Sequence, residues 1–329
     1  SPEINADNTV TFRYYNPKAV TVQISGDFLP SQKITYMMEG QERVWEAPGR
    51  ADLVEHNGLW TYTSAPLEGE LYSYTLYVDG QKMMDPSNIY QNRDIATWTN
   101  IFTISTEKGD KGWYYQVNDT PHGNVSKVWY DSPTLSMKRR MTVYTPAGYE
   151  KNTKKKYPVL YLLHGSGGDE DAWSDLGRAV QILDNLIAQG KAVPMIVVMP
   201  YGNVFGTTPS PTTVAAAKMY QKFEQELTEC VMPFIEKNFR TKNDRRSRAI
   251  AGFSLGGRQA LACGLGNPDK FHYVCAFAPA VFGPEISGNF ENGTYAEADR
   301  LNNSLKLLWL SCGTSDFLYQ SSLQLERNF

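Results

Sequence analysis

The sequence has little of what would direct a protein to membranes, nucleic acid or metal ions. None of its apolar runs reaches the roughly 18 residues that a transmembrane helix requires, so no membrane span is expected. Lys and Arg number 32 and Asp and Glu 35, a net charge of −3, which gives no electrostatic case for nucleic-acid binding. Only four cysteines occur, without C-x-x-C spacing, so neither a metal site nor a redox pair is predicted. What remains is an ordinary globular composition in 329 residues, long enough for two domains.

Four runs within residues 1–105 alternate apolar and polar side chains, a pattern that is typical of half-buried strands. Turn signals separate the alternating runs, and Asp79-Gly80 between two of them indicates a hairpin. Short strands at this spacing predict a small all-β sandwich. The runs are Val10–Tyr14, Val20–Ile24, Trp60–Thr63 and Tyr72–Val78.

From about Trp113 onward, apolar strand-like runs alternate with helical segments. This order predicts a mostly parallel sheet covered by helices on both faces. We therefore expect a β-sandwich over residues 1–105, a linker over 106–120 and an α/β domain over 121–329. The strand-like runs are Val125–Tyr130, Arg140–Tyr144, Val159–Leu163, Met195–Met199, Ser247–Ala251, Tyr273–Phe277 and Leu305–Leu310, and the helical segments are Ala179–Gln189, Val214–Phe239, Gly257–Gly264 and Tyr319–Arg327.

The strongest chemical signal is the G-x-S-x-G motif Gly252-Phe253-Ser254-Leu255-Gly256, which lies between a predicted strand and a predicted helix. A strand, a sharp turn and a helix are what a nucleophile elbow needs. The glycines let the backbone turn tightly, and the helix N-terminus favours developing negative charge. We predict Ser254 as the nucleophile; the alternative is an incidental serine in a glycine-rich turn.

A second glycine-rich turn, Leu162–Glu170, follows an apolar strand. Acyl transfer needs hydrogen-bond donors aimed at the oxyanion of the tetrahedral intermediate, and the backbone of such a turn can supply one. We assign the two donors to the backbone N–H groups of Ser166 and Leu255. No Gly-Lys-Ser/Thr sequence follows, which excludes a phosphate-binding loop. His164 precedes the turn and is predicted to be structural.

The third turn, Ser311–Asp316, ends the last apolar strand. In an α/β-hydrolase the catalytic acid follows the nucleophile and a histidine base follows the acid, so Asp316 is predicted as the acid. The alternative is an aspartate that caps the next helix. All four histidines, of which His272 is the last, precede Asp316, and His272 is predicted to be structural. We therefore expect the base beyond Phe329, together with the last strand and helix of the sheet, and the present chain should be nearly inactive.

Further motifs accompany these three turns, and together they are specific, although each alone would not be. They are Pro121-His122-Gly123, Arg139-Arg140-Met141, Tyr144–Tyr149 and Trp173. On these residues, the chain from about 119 to 329 resembles carbohydrate esterase family 1, the feruloyl and acetyl-xylan esterases related to esterase D. The resemblance implies an α/β-hydrolase fold that needs no metal or organic cofactor.

The same resemblance places the family's nucleophile on Ser254, its acid on Asp316 and its oxyanion donors on Ser166 and Leu255. Three aromatic residues that follow the oxyanion turn, a strand end and the acid are predicted to line the acyl pocket. They are Trp173, Tyr201 and Phe317.

The motifs Phe12-Arg13, Ser25–Phe28, Gly58–Tyr62 and Tyr72–Asn88 lie in the first domain. On them, residues 1 to about 105 resemble the immunoglobulin-like modules grouped with glycogen-binding domains. Such modules precede esterase domains in xylan-degrading enzymes of gut and rumen bacteria, which implies a periplasmic or secreted bacterial protein. Two roles stay open for the module: aromatic residues such as Trp45 or Trp98 stack on sugar rings, or the module is structural support for the esterase.

These observations favour a serine esterase that hydrolyses feruloyl esters of arabinoxylan through an acyl-enzyme. The alternatives are an acetyl-xylan esterase, a ferric siderophore esterase and a non-catalytic carbohydrate-binding protein on an esterase scaffold. The expected partner is feruloylated or acetylated xylan or a xylo-oligosaccharide. The sequence carries no signal for a particular oligomeric state.

Overall fold

The chain folds into two units with separate apolar cores, Ser1–Asp119 and Thr120–Phe329, in the computed structural model. The structure describes residues 1–38, 41–94, 97–204, 222–291, 293 and 295–329. Within these ranges, no helix combines the length and the apolar character that crossing a membrane would require.

Twelve strands make up most of the described part of the first unit. They are β1 (Glu3–Ile4), β2 (Val10–Tyr15), β3 (Val22–Gly26), β4 (Gln32–Met38), β5 (Gln41–Ala47), β6 (Gly49–Asp52), β7 (Val54–His56), β8 (Leu59–Thr63), β9 (Glu70–Val78), β10 (Gln81–Met83), β11 (Gln91–Asp94) and β12 (Thr97–Ile104). One sheet has the order β1-β2-β8-β7, and a second has the order β11-β12-β9-β3-β6 with β10 paired to β9. β4 and β5 pair with each other as a separate hairpin.

Alternation along these strands buries one face of each sheet in a shared core. In β2, Val10 and Phe12 are buried, whereas Arg13 is exposed. The Phe12 ring from the first sheet packs edge-on against Tyr74 of the second, with 4.9 Å between ring centroids. Side chains of both sheets therefore fill one core, and the predicted all-β sandwich is confirmed.

A linker is predicted over 106–120, but residues 106–119 belong to the first unit and pack against the sandwich. The Asp110 carboxylate accepts a hydrogen bond from the Trp113 N–H at 2.7 Å and caps a short helix, α1 (Lys111–Tyr115). A Cβ on Gly112 would lie 1.6 Å from the carbonyl oxygen of Ile104. Only glycine permits this approach of α1 to the end of β12.

The second unit is a seven-stranded sheet with helices. Its strands are β13 (Asn124–Ser132), β14 (Met137–Thr145), β15 (Val159–Leu163), β16 (Ile196–Pro200), β17 (Arg248–Phe253), β18 (Tyr273–Phe277) and β19 (Leu307–Ser311). Its described helices are α2 (Ala172–Asp175), α3 (Ala179–Ala188), α4 (Met232–Asn238), α5 (Leu255–Gly266), α6 (Gly283–Glu291), α7 (Ala298–Ser304) and α8 (Tyr319–Asn328), with a π-helical turn (Glu226–Val231) before α4 and a 3₁₀ turn (Arg245–Ser247) before β17. The first part of the predicted helix Val214–Phe239 lies outside the described residues.

The strand order of this sheet is β13-β14-β16-β15-β17-β18-β19. β13, β14 and β16 pair antiparallel, and the remaining neighbours pair parallel. Every residue of β16 is buried, which explains why continuous apolar runs mark the central strands. The predicted α/β architecture with a mostly parallel sheet is confirmed.

Pairing register brings the predicted chemical groups to one edge of this sheet. Leu163 lies opposite Gly252, Phe253 opposite Phe277, and Phe277 opposite Ser311. The carboxyl ends of β15, β17, β18 and β19 are therefore aligned. The three predicted turns all leave the sheet at this edge, the usual place for sites in open α/β sheets.

Candidate active site

Ser254 occupies the sharp turn between β17 and α5. Its backbone has φ 55° and ψ −116°, in the left-handed half of φ space that a residue with a side chain rarely adopts. The turn is possible because its glycines allow close packing: a Cβ on Gly252 would lie 2.1 Å from the carbonyl oxygen of Gly256, and one on Gly256 would lie 2.4 Å from that of Leu163. This is the strained strand–turn–helix geometry of a nucleophile elbow.

The glycine-rich turn after β15 lies directly against this elbow. A Cβ on Gly165 would be 3.4 Å from the Cβ of Ser254 and 3.1 Å from the ring of Phe253. Leu255 is the first residue of α5, where backbone N–H groups lack intrahelical partners and the helix dipole is positive. The N–H groups of Ser166 and Leu255, the two predicted oxyanion donors, therefore belong to segments that meet at the nucleophile.

The peptide unit that carries the Leu255 N–H is held in place at its other end. The carbonyl oxygen of Ser254 accepts hydrogen bonds from the N–H groups of Arg258 and Ala280, each at 3.0 Å. Because a peptide unit is planar, fixing its carbonyl also fixes the direction of its N–H. This donor is thus preorganised before any substrate arrives.

The peptide unit that carries the Ser166 N–H is held in the same way. The carbonyl oxygen of Gly165 lies 2.8 Å from Nδ1 of His164 and accepts the N–H of Gly168 at 3.2 Å. The side chain of His164 therefore orients the proposed donor of Ser166, although the imidazole has no contact with substrate in this scheme.

Hydrogen bonding determines the tautomer of His164. The N–H of Gly202 donates to Nε2 at 2.8 Å, so Nε2 accepts and Nδ1 carries the proton that is donated to Gly165. Burial lowers the pKa of His164, which keeps the ring neutral as this pattern requires. Gln259 of α5 donates to the carbonyl oxygen of Gly202 at 3.1 Å. His164, Gly202 and Gln259 together form a brace behind the oxyanion turn. A structural role for His164 accounts for every one of these contacts.

Two acidic residues anchor the segment between the oxyanion turn and α2 on the neighbouring strands. Glu170 pairs with Arg140 of β14 at 2.5 Å, and Asp171 pairs with Lys127 of β13 at 2.6 Å. Asp171 also accepts from the hydroxyl of Thr142 at 2.7 Å. Both carboxylates are buried, so these bonds fix the path of the chain away from the site. The sequence motif Arg139-Arg140 within an apolar strand is the one signal that could have indicated them.

Asp316 lies beyond the end of β19, at the same edge of the sheet as Ser254. Its Oδ1 accepts the Leu318 N–H at 2.8 Å, and its carbonyl oxygen accepts the Tyr319 N–H at 3.0 Å. The side-chain bond closes a turn before α8, whose N-cap residue, Leu318, has no side-chain cap, so the alternative of a helix-capping Asp316 is not what the structure shows. A carboxylate can hold such a turn while its second oxygen accepts from a histidine. The acid role of Asp316 stays a prediction.

The four histidines of the sequence have other surroundings. His56 contacts Asn57 in the first unit at 3.1 Å, and Nδ1 of His122 contacts the buried Asp184 at 3.0 Å. His164 braces the oxyanion turn, and His272 precedes β18 at the edge of the sheet opposite to the site. The base expected beyond Phe329 therefore stays a prediction.

The residues predicted to line the acyl pocket have different degrees of exposure. The ring of Trp173 packs edge-on against Phe277 at 6.5 Å between centroids, and Tyr201 stacks on His164 at 5.8 Å. Phe317 is 86% exposed. Sequence reasoning missed Phe253, which is 45% exposed beside the oxyanion turn; its position directly before the nucleophile was the available signal.

Comparison with known proteins gives consistent matches to esterases. The model of the Esterase family, described as "Putative esterase", matches residues 132–327. An endo-1,4-beta-xylanase/feruloyl esterase of Xylanibacter ruminicola is 36% identical over 271 residues, which cover 80% of this chain and 34% of that relative. This chain thus spans about a third of the length of that protein.

Two solved structures show the same fold. A ferulic acid esterase is 29% identical with a TM-score of 0.52, and the match covers 63% of this chain and 85% of that one. The enterobactin esterase of Shigella flexneri has a TM-score of 0.59 over 97% of this chain and 83% of its own, but at 15% identity it shows likeness of fold alone.

Proposed function

Because this chain belongs to the Esterase family, we propose that it is a serine esterase that releases ferulate from feruloylated xylan of plant cell walls. One observation carries the proposal: Ser254 sits in a strained elbow, with the oxyanion turn at Gly165 packed against it. Backbone strain in a residue with a side chain is common at catalytic sites, and the oxyanion turn packed against Ser254 gives this strain a function.

The proposed reaction proceeds in two steps. The Oγ of Ser254 attacks the ester carbonyl carbon while its proton passes to the histidine expected beyond Phe329, which Asp316 would orient. The N–H groups of Ser166 and Leu255 stabilise the oxyanion until the C–O bond to the sugar breaks and the sugar oxygen takes the proton. Water then attacks the acyl-enzyme by the same route, which releases ferulic acid and restores the Ser254 hydroxyl.

An aromatic acyl group suits the apolar surface beside the nucleophile. Phe253 and Phe317 expose their rings at this edge of the sheet, and Trp173 lies on the helix after the oxyanion turn. A relative that shares 36% identity is named as a xylanase and feruloyl esterase, which supports the same acyl group here. An acetyl group would leave these rings uncovered, so acetyl-xylan is the second substrate to test.

The substrate class also implies a place and a partner. Feruloylated xylan lies outside cells, so the protein would act in the periplasm or after secretion. The first unit would then either hold xylan or support the esterase. Trp98 in that unit is 49% exposed and available for stacking on a sugar ring, whereas the side chain of Trp45 lies outside the described residues.

The direct test compares three substrates: methyl ferulate, an acetylated xylo-oligosaccharide and a catecholate siderophore ester. The full-length protein would be assayed beside Ser254→Ala, with Ser247→Ala as the matched control because that serine precedes β17 at its other end. Turnover of methyl ferulate that only Ser254→Ala abolishes would support the proposal. Preference for one of the other esters would make that ester, rather than the feruloyl ester, the substrate. Xylan binding without turnover by a folded protein would support a binding protein instead.

A further inference from the structure

An arginine is buried beneath the active-site edge of the sheet, where no substrate would reach it. Arg139 of β14 is 4% exposed, although its guanidinium is charged at any physiological pH. It donates hydrogen bonds to the carbonyl oxygens of Tyr201 and Asn203, the latter at 2.9 Å. Its Cζ also lies 5.3 Å from the centroid of the Tyr201 ring. Arg139 therefore holds the segment that follows β16 by both main chain and side chain.

The counter-charge of Arg139 comes from the π-helical turn Glu226–Val231. Oε1 of Glu226 lies 3.5 Å from Nε of Arg139 in an ion pair, and both side chains are almost fully buried. The hydroxyls of Tyr130 and Ser132 donate to the same carboxylate at 2.7 and 2.5 Å. These hydroxyls hold the carboxylate in place, and its position beside Nε gives the buried guanidinium an opposite charge.

Tyr201 and Gly202 connect Arg139 to the oxyanion turn through their contacts with His164. The Tyr201 ring contacts both side chains: the Arg139 guanidinium lies over it, and the His164 ring stacks on it. The next residue, Gly202, donates its N–H to His164, and His164 in turn holds the Gly165 carbonyl. An unbroken series of contacts thus runs from the π-helical turn to the peptide unit that carries the Ser166 N–H.

We propose that Arg139, anchored by Glu226, is a positioning residue for the oxyanion turn, acting through Tyr201, Gly202 and His164. The inference rests on the proposed esterase function. It assigns Arg139 no contact with substrate and no proton transfer. Its effect is on the transition state, because a donor that is misplaced by a fraction of an ångström stabilises the oxyanion less than a fixed one.

Arg248 provides a matched control for burial and charge. It is also buried, pairs with a carboxylate, Glu236, at 2.5 Å, and donates to a backbone carbonyl, that of Asn243, at 2.8 Å. It begins β17, however, so it lies at the opposite end of the strand from Ser254. Losing Arg248 should destabilise the fold as losing Arg139 does, but it should leave the oxyanion turn in place.

The experiment measures kcat and KM for methyl ferulate and for 4-nitrophenyl acetate in the full-length wild type, Arg139→Lys, Arg139→Met and Arg248→Met, with thermal unfolding of each. We expect kcat to fall about 10-fold to 100-fold in Arg139→Met for both esters, with KM nearly unchanged. Arg139→Lys should recover part of the loss, since an ammonium can keep one carbonyl contact. Arg248→Met should keep the wild-type kcat although its Tm falls.

Tyr201→Leu keeps the test decisive if Arg139→Met does not fold, because this change leaves both carbonyl bonds of Arg139 possible. A fall in kcat for both esters would support positioning. A rise in KM for the ferulate alone would place Tyr201 in the acyl pocket and contradict the proposed route, as would wild-type kcat in the Arg139 variants. A wild type that hydrolyses neither ester would refute the esterase function itself, a different result.

Discussion

His164 makes two hydrogen bonds through two different nitrogens, and two substitutions can remove them one at a time. The amide of asparagine reaches the position of Nδ1, so His164→Asn can still donate to the Gly165 carbonyl but leaves the Gly202 N–H unpaired. The longer side chain of glutamine reaches the position of Nε2, so His164→Gln can still accept from Gly202 but gives up the bond to Gly165. The two variants therefore separate the stability of the brace from the orientation of the Ser166 N–H.

The structure predicts opposite orders for stability and for activity. Gly202 is buried, and an unpaired buried N–H costs about 1–3 kcal/mol, so His164→Asn should be the less stable variant. At roughly 2–4 °C per kcal/mol for a domain of this size, its Tm should fall by several degrees. In His164→Gln the Gly165 carbonyl keeps the 3.2 Å bond from Gly168, so the loss should be nearer about 1 kcal/mol.

Catalysis should respond the other way. The Gly165 carbonyl and the Ser166 N–H share one peptide plane, so His164→Gln loosens an oxyanion donor. A hydrogen bond worth about 1.4 kcal/mol corresponds to about a 10-fold fall in kcat. Complete removal of a donor, on the order of 100-fold to 1000-fold, is the upper limit. His164→Asn should stay within about 3-fold of the wild type, since its donor to Gly165 is kept.

The assay is kcat and KM on methyl ferulate, paired with thermal unfolding of the same preparations. The reasoning is refuted if His164→Asn loses more kcat than His164→Gln. It is also refuted if kcat simply follows Tm across both variants, because His164 would then support the fold without orienting the donor.

Three further predictions concern the same edge of the sheet. In Gly256→Ala the new Cβ would lie 2.4 Å from the Leu163 carbonyl oxygen, so overpacking should cost about 3 kcal/mol and lower Tm; an unchanged Tm would contradict the close approach of α5. Asp316→Asn keeps the side-chain oxygen that accepts the Leu318 N–H but loses the charge, so kcat should fall on the order of 10,000-fold with Tm nearly unchanged, whereas full activity would leave Asp316 a role in the turn alone. Burial lowers the pKa of His164, so below about pH 6.5 the unfolded chain binds a proton that the folded chain does not. The stabilising contribution of His164 is therefore full above about pH 6.5 and declines below it. In urea titrations, the difference in unfolding free energy between wild type and His164→Gln should narrow from about pH 7 to 5.

Local sequence patterns predicted much of the fold and the central residues of the site. Val159–Leu163 and Tyr273–Phe277 were predicted with the bounds that the structure has, because no residue of either strand is exposed and both therefore show as continuous apolar runs. The resemblance to carbohydrate esterase family 1 is confirmed by the family match and by the feruloyl esterase relative. Glycines around Ser254 indicated the elbow because they lie where the backbone comes too close to another segment for a residue with a Cβ.

Interactions between distant residues were not predictable in the same way. Arg139 and Glu226 are far apart in sequence, and a buried charge in a strand has meaning only once its partner is known. The capping bond of Asp110 was visible in principle, but a five-residue helix is too short for a periodic pattern, so α1 was assigned to a linker. Tertiary contacts, rather than local propensity, determine these features.

The central claim is that Ser254 forms the acyl-enzyme. Mass spectrometry of the full-length protein, quenched with acid during turnover of 4-nitrophenyl ferulate and then digested, tests it most directly. The account predicts one feruloyl group on the peptide that contains Ser254, and none in Ser254→Ala. A feruloyl group on another residue, or Ser254→Ala that hydrolyses the ester at the wild-type rate, would contradict it.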